Sequence, residues 1–229
     1  MADGRNLSQG GVFFDLDGTL VDTAPDMVAV LVAMQISNGS IPVPYELARA
    51  SVSHGAMGLI NLAFPSVGEV QRSQLHQEFL DRYEQAVCVD SALFPGMDEL
   101  LHLLEGRGRP WGVVTNKPER MTDPLLEKLE LKQRMSCAVS GDTLPQRKPH
   151  PAPLLLACEL AGVAPERSIF VGDDARDIVA GRAAGMATIA AAYGYITEED
   201  DPVLWEADQV AADTMELTRM ICDAMKLYS

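Results

Sequence analysis

From Phe94 onward the chain alternates short apolar runs with amphipathic segments, and that alternation constrains the fold more than any other feature. Met97 to Glu105 reads as a helix and Trp111 to Thr115 as a strand. Pro118 opens the next helix, where a missing N–H costs nothing, and Cys137 to Ser140 is a strand. Pro151 to Ala161 is a helix, Ser168 to Gly172 a strand, and Asp174 to Ala184 a helix ended by Gly185. Ala187 to Ala191 and Gln209 to Ala211 are strands, and a helix from Met215 to Lys226 closes the chain. Strands separated by helices of about 10 to 15 residues imply parallel βαβ units with helices on both faces of one sheet.

The first strand, Gly11 to Phe14, is cut off from the others by a segment of different character. From about Pro25 to Asp90 there is helical periodicity and almost no strand signal: Pro25 to Ile36, Tyr45 to Phe64, and Glu69 to Val89. In the last of these, Val70, Leu75, Phe79, Leu80, Tyr83 and Val87 recur at helical spacing with charges between them. The expected architecture is therefore α/β: a doubly wound, Rossmann-like parallel sheet interrupted after its first strand by an all-helical domain. The boundaries follow as a disordered N-terminus over 1–10, an α/β core over 11–24 and 92–229, and a helical domain over 25–91.

Composition narrows the partners. With 33 Asp plus Glu against 18 Lys plus Arg, the net charge of −15 disfavours nucleic acid and anionic membrane surfaces. The longest uncharged run, Met27 to Tyr45, is broken by polar residues and prolines, so no segment is expected to span about 30 Å of hydrocarbon. The polar N-terminal stretch lacks an apolar signal region, which makes the cytoplasm the expected location. Cys88, Cys137, Cys158 and Cys222 are scattered without a CxxC pair, against both a disulfide framework and a zinc site. A monomer or weak homodimer is expected.

The candidate chemistry gathers at strand ends. Asp15 and Asp17, in Phe14-Asp15-Leu16-Asp17-Gly18-Thr19, follow the first strand, and in open α/β sheets the ligand crevice lies beyond the carboxyl ends of strands. Two carboxylates so close are tolerable around a divalent cation, although an Asp-Gly turn between strand and helix also explains them. Thr115 and Asn116 end the second core strand with groups able to bond a phosphoryl oxygen or to cap a helix. Lys148 stands in a loop stiffened by Pro149 and Pro151. Asp173, Asp174 and Asp177 follow the strand that ends at Gly172, where acids also suit a helix start.

Taken together and in this order, these motifs resemble those of the haloacid dehalogenase superfamily: Asp-x-Asp-x-Thr, a Thr after the second core strand, a Lys, and Gly-Asp-x-x-x-Asp. The resemblance runs from Val12 to about Asp213. Through Thr115-Asn116-Lys117-Pro118, Lys148-Pro149-His150-Pro151 and Tyr193-Gly194-Tyr195 it is similar to the phosphoglycolate phosphatase branch. Gly172-Asp173-Asp174-x-Arg176-Asp177-Ile178 and Trp205-x-Ala207-Asp208 look more like bacterial N-acetylmuramic acid 6-phosphate phosphatases.

The resemblance implies a nucleophile at Asp15, a general acid and base at Asp17, and Mg2+ held by Asp15, the Asp17 carbonyl and Asp173, with Asp177 acting on its water shell. It implies phosphoryl contacts from Thr115, Lys148 and Asn116. It makes the inserted helices a cap whose Ser53-His54-Gly55-Ala56 turn meets the substrate, with His54, Gly55 and Arg49 as candidate substrate contacts. The implied substrate is a small phosphomonoester, 2-phosphoglycolate or N-acetylmuramic acid 6-phosphate.

Other activities fit less well. Dehalogenases and phosphonatases resemble this pattern without the second acid, and Pro25 to Asp90 holds no lysine for a Schiff base. A sugar phosphate mutase keeps both aspartates, but Leu20 to Asn38 lacks the histidine such mutases carry. A non-enzymatic receiver-like module, phosphorylated on Asp, would be about 120 residues without a helical insert, and an inactive binding fold would be expected to have lost a motif residue.

Overall fold

The computed structural model describes Leu7, residues 9–197 and residues 200–227. The elements run β1 (Val12–Phe14), β2 (Val21–Asp22), α1 (Ala24–Ser37), α2 (Tyr45–Ala50), α3 (Gly55–Ala63), α4 (Glu69–Gln85) and β3 (Ala92–Leu93). They continue α5 (Met97–Gly106), β4 (Trp111–Val114), α6 (Glu119–Lys128), β5 (Cys137–Val139), α7 (Ala152–Ala161), β6 (Ile169–Gly172) and α8 (Ala175–Ala183). β7 (Ala187–Ala191), β8 (Gln209–Ala211) and α9 (Thr214–Met225) complete the order.

Six strands form one parallel sheet in the order β5-β4-β1-β6-β7-β8. Period-two alternation decides its two faces. Val12 and Phe14 join a large core with Trp111, Val113, Ile169 and Val171, together with Leu100 and Leu104 of α5 and Leu217 and Ile221 of α9. Phe13 turns to the opposite core with Val114, Val139 and Phe170, covered by Leu154 and Ala157 of α7 and Ala180 of α8. Because both faces are covered, the central strands are continuous hydrophobic runs. β1 sits between β4 and β6, so the chain winds away from it in both directions, and a crevice opens at the carboxyl ends of these three strands.

The helical insert, α1 to α4, leaves after β2 and returns at β3. Its Leu31, Leu59, Phe79 and Tyr83 are continuous with the first core, so insert and sheet share apolar packing. The two connectors pair as a short antiparallel ribbon, Val21 with Leu93 and Asp22 with Ala92. Two-residue strands carry no readable period, which is why this ribbon escapes sequence reading.

Two expected elements differ. The helix expected over Tyr45 to Phe64 is broken into α2, a 3-10 turn at Val52–His54, and α3. Gly55 causes the break: its φ of 69° with ψ of −170° is a conformation that favours glycine. Pro118 lies just outside α6, as its N-cap, rather than at the first helical position, and Pro124 sits inside that helix.

The expectation of disorder over 1–10 falls largely outside the described residues. Among those that are described, Leu7 is buried in the first core, and Arg167 donates to the side chain of Gln9. No helix among the described residues is long and apolar enough to cross a membrane. All four cysteines are free thiols.

Candidate active site

Asp15 follows β1 directly, and its N–H donates to Val171 O across the sheet at 2.8 Å. The chain then turns through Gly18, with φ of 84°. A Cβ there would lie 2.1 Å from Asp173 Oδ2, so only glycine lets this turn approach the next acid. Asp173 follows β6, and Asp177 lies in the first turn of α8. Carboxylate oxygens of Asp15, Asp173 and Asp177 lie within 4.8 Å of one another, all three residues offering a ligand atom.

Lys148 reaches this cluster from the loop after β5, its Nζ 2.8 Å from Asp15 Oδ1 and 2.7 Å from Asp177 Oδ1. Its loop is fixed by Asn116, whose amide donates to Lys148 O and accepts from Lys148 N, each at 3.0 Å. Asn116 is therefore brought to the site, and its side chain is committed to the main chain of the lysine. Thr115 follows β4 directly; its Oγ1 accepts from Lys117 N at 3.1 Å, which leaves the hydroxyl proton available to a ligand.

One ammonium does not balance three buried carboxylates. Burial, and then the neighbouring Asp15 charge, push Asp173 up to about 7. Burial pushes Asp177 well above the ordinary carboxylate range; Lys148 opposes this, while Asp15 and Asp173 add to it. Among the described residues, Asp177 Oδ2 is buried without a hydrogen-bond partner, although buried carboxylate oxygens are normally satisfied. A metal ion would supply the missing partner, and the all-oxygen donor set suits a hard divalent cation.

Asp17 stands apart from the acidic cluster. Its Oδ1 accepts from Thr23 Oγ1 at 2.5 Å and from Lys117 Nζ at 2.8 Å. Burial alone would push the Lys117 ammonium down, but Asp17 and the Tyr83 hydroxyl hold it above the usual lysine value.

The insert closes over these groups. Ser53 Oγ donates to Asp173 Oδ2 at 2.8 Å, and Arg176 Nη2 donates to Ser53 O at 2.6 Å. Arg176 also grips Asp174 with two side-chain bonds of 2.8 and 2.7 Å. Burial would raise the Asp174 carboxyl, and this guanidinium holds it below the ordinary value instead. A cavity of about 530 Å3 remains between sheet and insert; Asp15, Asp17, Thr115, Asn116, Lys148 and Asp177 line its floor, and His54, Gly55, Met57, His76, Phe79 and Leu80 its roof.

A family model for haloacid dehalogenase-like hydrolases matches residues 12–191. The chain belongs to this family. Among relatives of this hydrolase is an N-acetylmuramic acid 6-phosphate phosphatase from Pseudomonas aeruginosa, 44% identical over 96% of the chain and 99% of the relative. A phosphoglycolate phosphatase from Xylella fastidiosa is also 44% identical, over 91% of each protein. Among solved structures, a predicted phosphoglycolate phosphatase from Haemophilus somnus superposes with a TM-score of 0.82 at 28% identity, covering 93% of this chain and 98% of that one.

Of the residues expected in the hydrolase site, Asp15, Asp17, Thr115, Asn116, Lys148, Asp177, His54 and Gly55 line one cavity, and Asp173 joins the acidic cluster. Arg49 is not brought there. Its guanidinium is 2.6 Å from Asp22 and 4.8 Å from the ring centroid of Tyr195, beside the connectors of the insert. Asp177, expected to act on a metal's water shell, places its carboxylate in the cluster with Asp15 and Asp173. Sequence reasoning gave no role to Ser53, Tyr83, Lys117, Arg147 or Arg176. Lys117, Arg176 and Ser53 stand inside quoted motifs and were signalled by that alone; the contact of Tyr83 depends on how the insert folds over the sheet.

Proposed function

We propose that this hydrolase is a Mg2+-dependent phosphatase that cleaves a small phosphorylated metabolite through an aspartyl-phosphate. The observation that carries this reading is the convergence of Asp15, Lys148, Asp173 and Asp177 at three strand ends, with Asp17 as a separate second acid beside the same cavity.

In the first step an Asp15 oxygen attacks phosphorus, forming a P–O bond as the bond to the leaving alkoxide breaks. The Asp17 carboxyl proton passes to that alkoxide, which departs as the alcohol. In the second step Asp17, now a carboxylate, takes a proton from water, the water oxygen attacks phosphorus, and the Asp15 carboxylate leaves with inorganic phosphate released. Lys148 and the Thr115 hydroxyl hold the transferring oxygens, and charge-assisted donors of this kind are worth most away from bulk water. Asp15, Asp173 and Asp177, with the Asp17 carbonyl, would hold Mg2+, which when bound offsets charge on the carboxylates and phosphoryl group. The insert serves as a cap that excludes water while the first step proceeds. A cytoplasmic monomer or weak homodimer is part of the same proposal.

The cavity favours the larger of the two candidate substrates. About 530 Å3 falls within the range of roughly 300–1,000 Å3 typical of drug-sized ligands. A two-carbon acid would leave much of it unfilled. The apolar roof of Met57, Phe79 and Leu80 suits a sugar face and acyl group, which supports N-acetylmuramic acid 6-phosphate.

A panel holding this sugar phosphate and 2-phosphoglycolate tests the reading. We expect a kcat/KM preference of at least tenfold for the sugar phosphate, about 1.4 kcal/mol of transition-state binding. Asp15→Asn should abolish turnover and chelation of Mg2+ should suppress it; full activity of either preparation overturns the mechanism.

A further inference from the structure

Lys117 is a buried cation to which the two steps above give no task. Its side chain is 4% exposed, and burying an ammonium carries a large desolvation cost unless its partners repay it. Lys148 serves the Asp15–Asp177 pair; among the described residues Lys117 makes its ion pair with Asp17 alone. Its Nζ also lies 3.0 Å from Tyr83 Oη and 4.5 Å from that ring centroid. Tyr83 belongs to α4 of the insert and is itself buried. One ammonium thus joins a residue of the insert to the second acid of the sheet.

Among the described residues the two donors to the Asp17 carboxylate, Lys117 Nζ and Thr23 Oγ1, converge on Oδ1. Two bonds on one oxygen fix the carboxyl rotamer, and a charge-assisted bond is the stronger kind of anchor. The other oxygen, Oδ2, is left to carry the mobile proton. We propose that Lys117 is a positioning residue that holds Asp17 by Oδ1 so that Oδ2 delivers and collects the proton, and that Tyr83 secures this hold when the insert is seated on the sheet. This rests on Asp17 being the general acid and base. Cap closure is thereby coupled to proton transfer: the hydroxyl that steadies Lys117 arrives with the insert.

The test exploits the leaving group. A 4-nitrophenoxide departs without a proton, whereas a sugar alkoxide needs one, and kcat/KM reports events only as far as that departure. Lys117→Met, close in size but uncharged, is expected to lower kcat/KM for the preferred sugar phosphate about 100-fold, within the range of about 10²–10⁴ ascribed to general acids. The loss on 4-nitrophenyl phosphate should be below about fivefold, since that substrate does not use the proton. Lys117→Arg, which keeps the charge, should recover part of the sugar phosphate rate. Tyr83→Phe, which removes one hydroxyl, should reproduce the split at about 5- to 10-fold, and it decides the matter if Lys117→Met does not fold.

Equal losses on both substrates, or a rise in KM alone on both, overturn the proposal, the second result making Lys117 a substrate contact. Asp17→Asn is measured in parallel. If it shows no split, the assignment of Asp17 falls and this proposal with it; if it shows the split while the Lys117 and Tyr83 variants do not, only this proposal falls.

Discussion

At the scale of single residues, the acidic cluster makes the clearest demand for a metal. Asp173 is raised to about 7 from an ordinary value of 3.8, first by burial and then by Asp15, and Asp177 is raised in the same direction. A carboxyl whose pKa is higher folded than unfolded binds a proton on folding in the interval between the two values. Across that interval the native state holds more protons than the unfolded state, so stability falls as pH rises. The metal-free protein should therefore melt at a higher temperature at pH 6 than at pH 8. Under the proposed mechanism Mg2+ binds the ionised acids, so at saturation it should raise the melting temperature most at pH 8 and flatten the dependence. Thermal melts at both pH values, with chelator and with Mg2+, check this. An identical Mg2+ response at pH 6 and pH 8 would remove these carboxylates from the metal site.

At the scale of elements, the insert is tied down where it leaves and rejoins the sheet. Asp26, in the first turn of α1, is buried, and its carboxylate accepts from Val89 N at 2.9 Å, Asp90 N at 2.8 Å, and Ser91 N and Oγ at 3.1 and 2.5 Å. Four donors from the returning connector thus converge on one side chain of the departing helix. Nearby, Tyr195 Oη accepts from Thr23 N and Ala24 N, at 2.7 and 2.8 Å, and donates to Asp22 at 2.8 Å. Asp26→Asn keeps the shape but replaces one acceptor oxygen by a donor, leaving N–H groups of the connector unpaired. Hydrogen bonds to a charged group are worth about 1.5–3 kcal/mol, so a loss of roughly 2–4 kcal/mol in urea unfolding is expected. A loss below about 0.5 kcal/mol, the range of an ordinary surface change, would show that this junction does not hold the insert.

The same junction marks the limit of what sequence pattern reveals. β1, β4, β5, β6, β7 and β8 were legible because buried strands leave apolar runs between amphipathic helices. The acids and Lys148 were legible because parallel strands deliver their carboxyl ends to one crevice. The β2–β3 ribbon was not, because two-residue strands have no period. The break at Gly55 was signalled only by the resemblance, which names a turn over Ser53 to Ala56; a glycine inside an apolar helical pattern gives by itself no sign that its φ is positive. The place of Arg49, a candidate substrate contact, was hidden for a related reason: its partners Asp22 and Tyr195 lie 27 and 146 positions away. Only the folded chain shows that Lys117 meets Tyr83.

At the scale of the whole molecule, the net charge of −15 conflicts with an anionic substrate, and the local arrangement decides which prevails. The cavity is lined by Lys117, Lys148, Arg147 and Arg176 against Asp15, Asp17, Asp174 and Asp177, so its charges nearly offset one another instead of forming a positive funnel. Under the proposed mechanism, recognition of a phosphate then acts at contact range, through Lys148, Thr115 and a cation held by the acids. Long-range attraction would raise association rates and would fade with salt, whereas repulsion by a distant acidic surface is relieved by it. Between about 0.1 and 1 M salt the Debye length shrinks from about 10 to 3 Å. Over that interval kcat/KM should stay level or rise. The measurement uses two salts, chloride and acetate, because an anion that competes for the phosphoryl site lowers the rate in its own proportion, whereas loss of steering follows ionic strength alone. A steep fall common to both salts would mean that a steering field exists outside the cavity, and that the acidic surface leaves open a positive approach to the site.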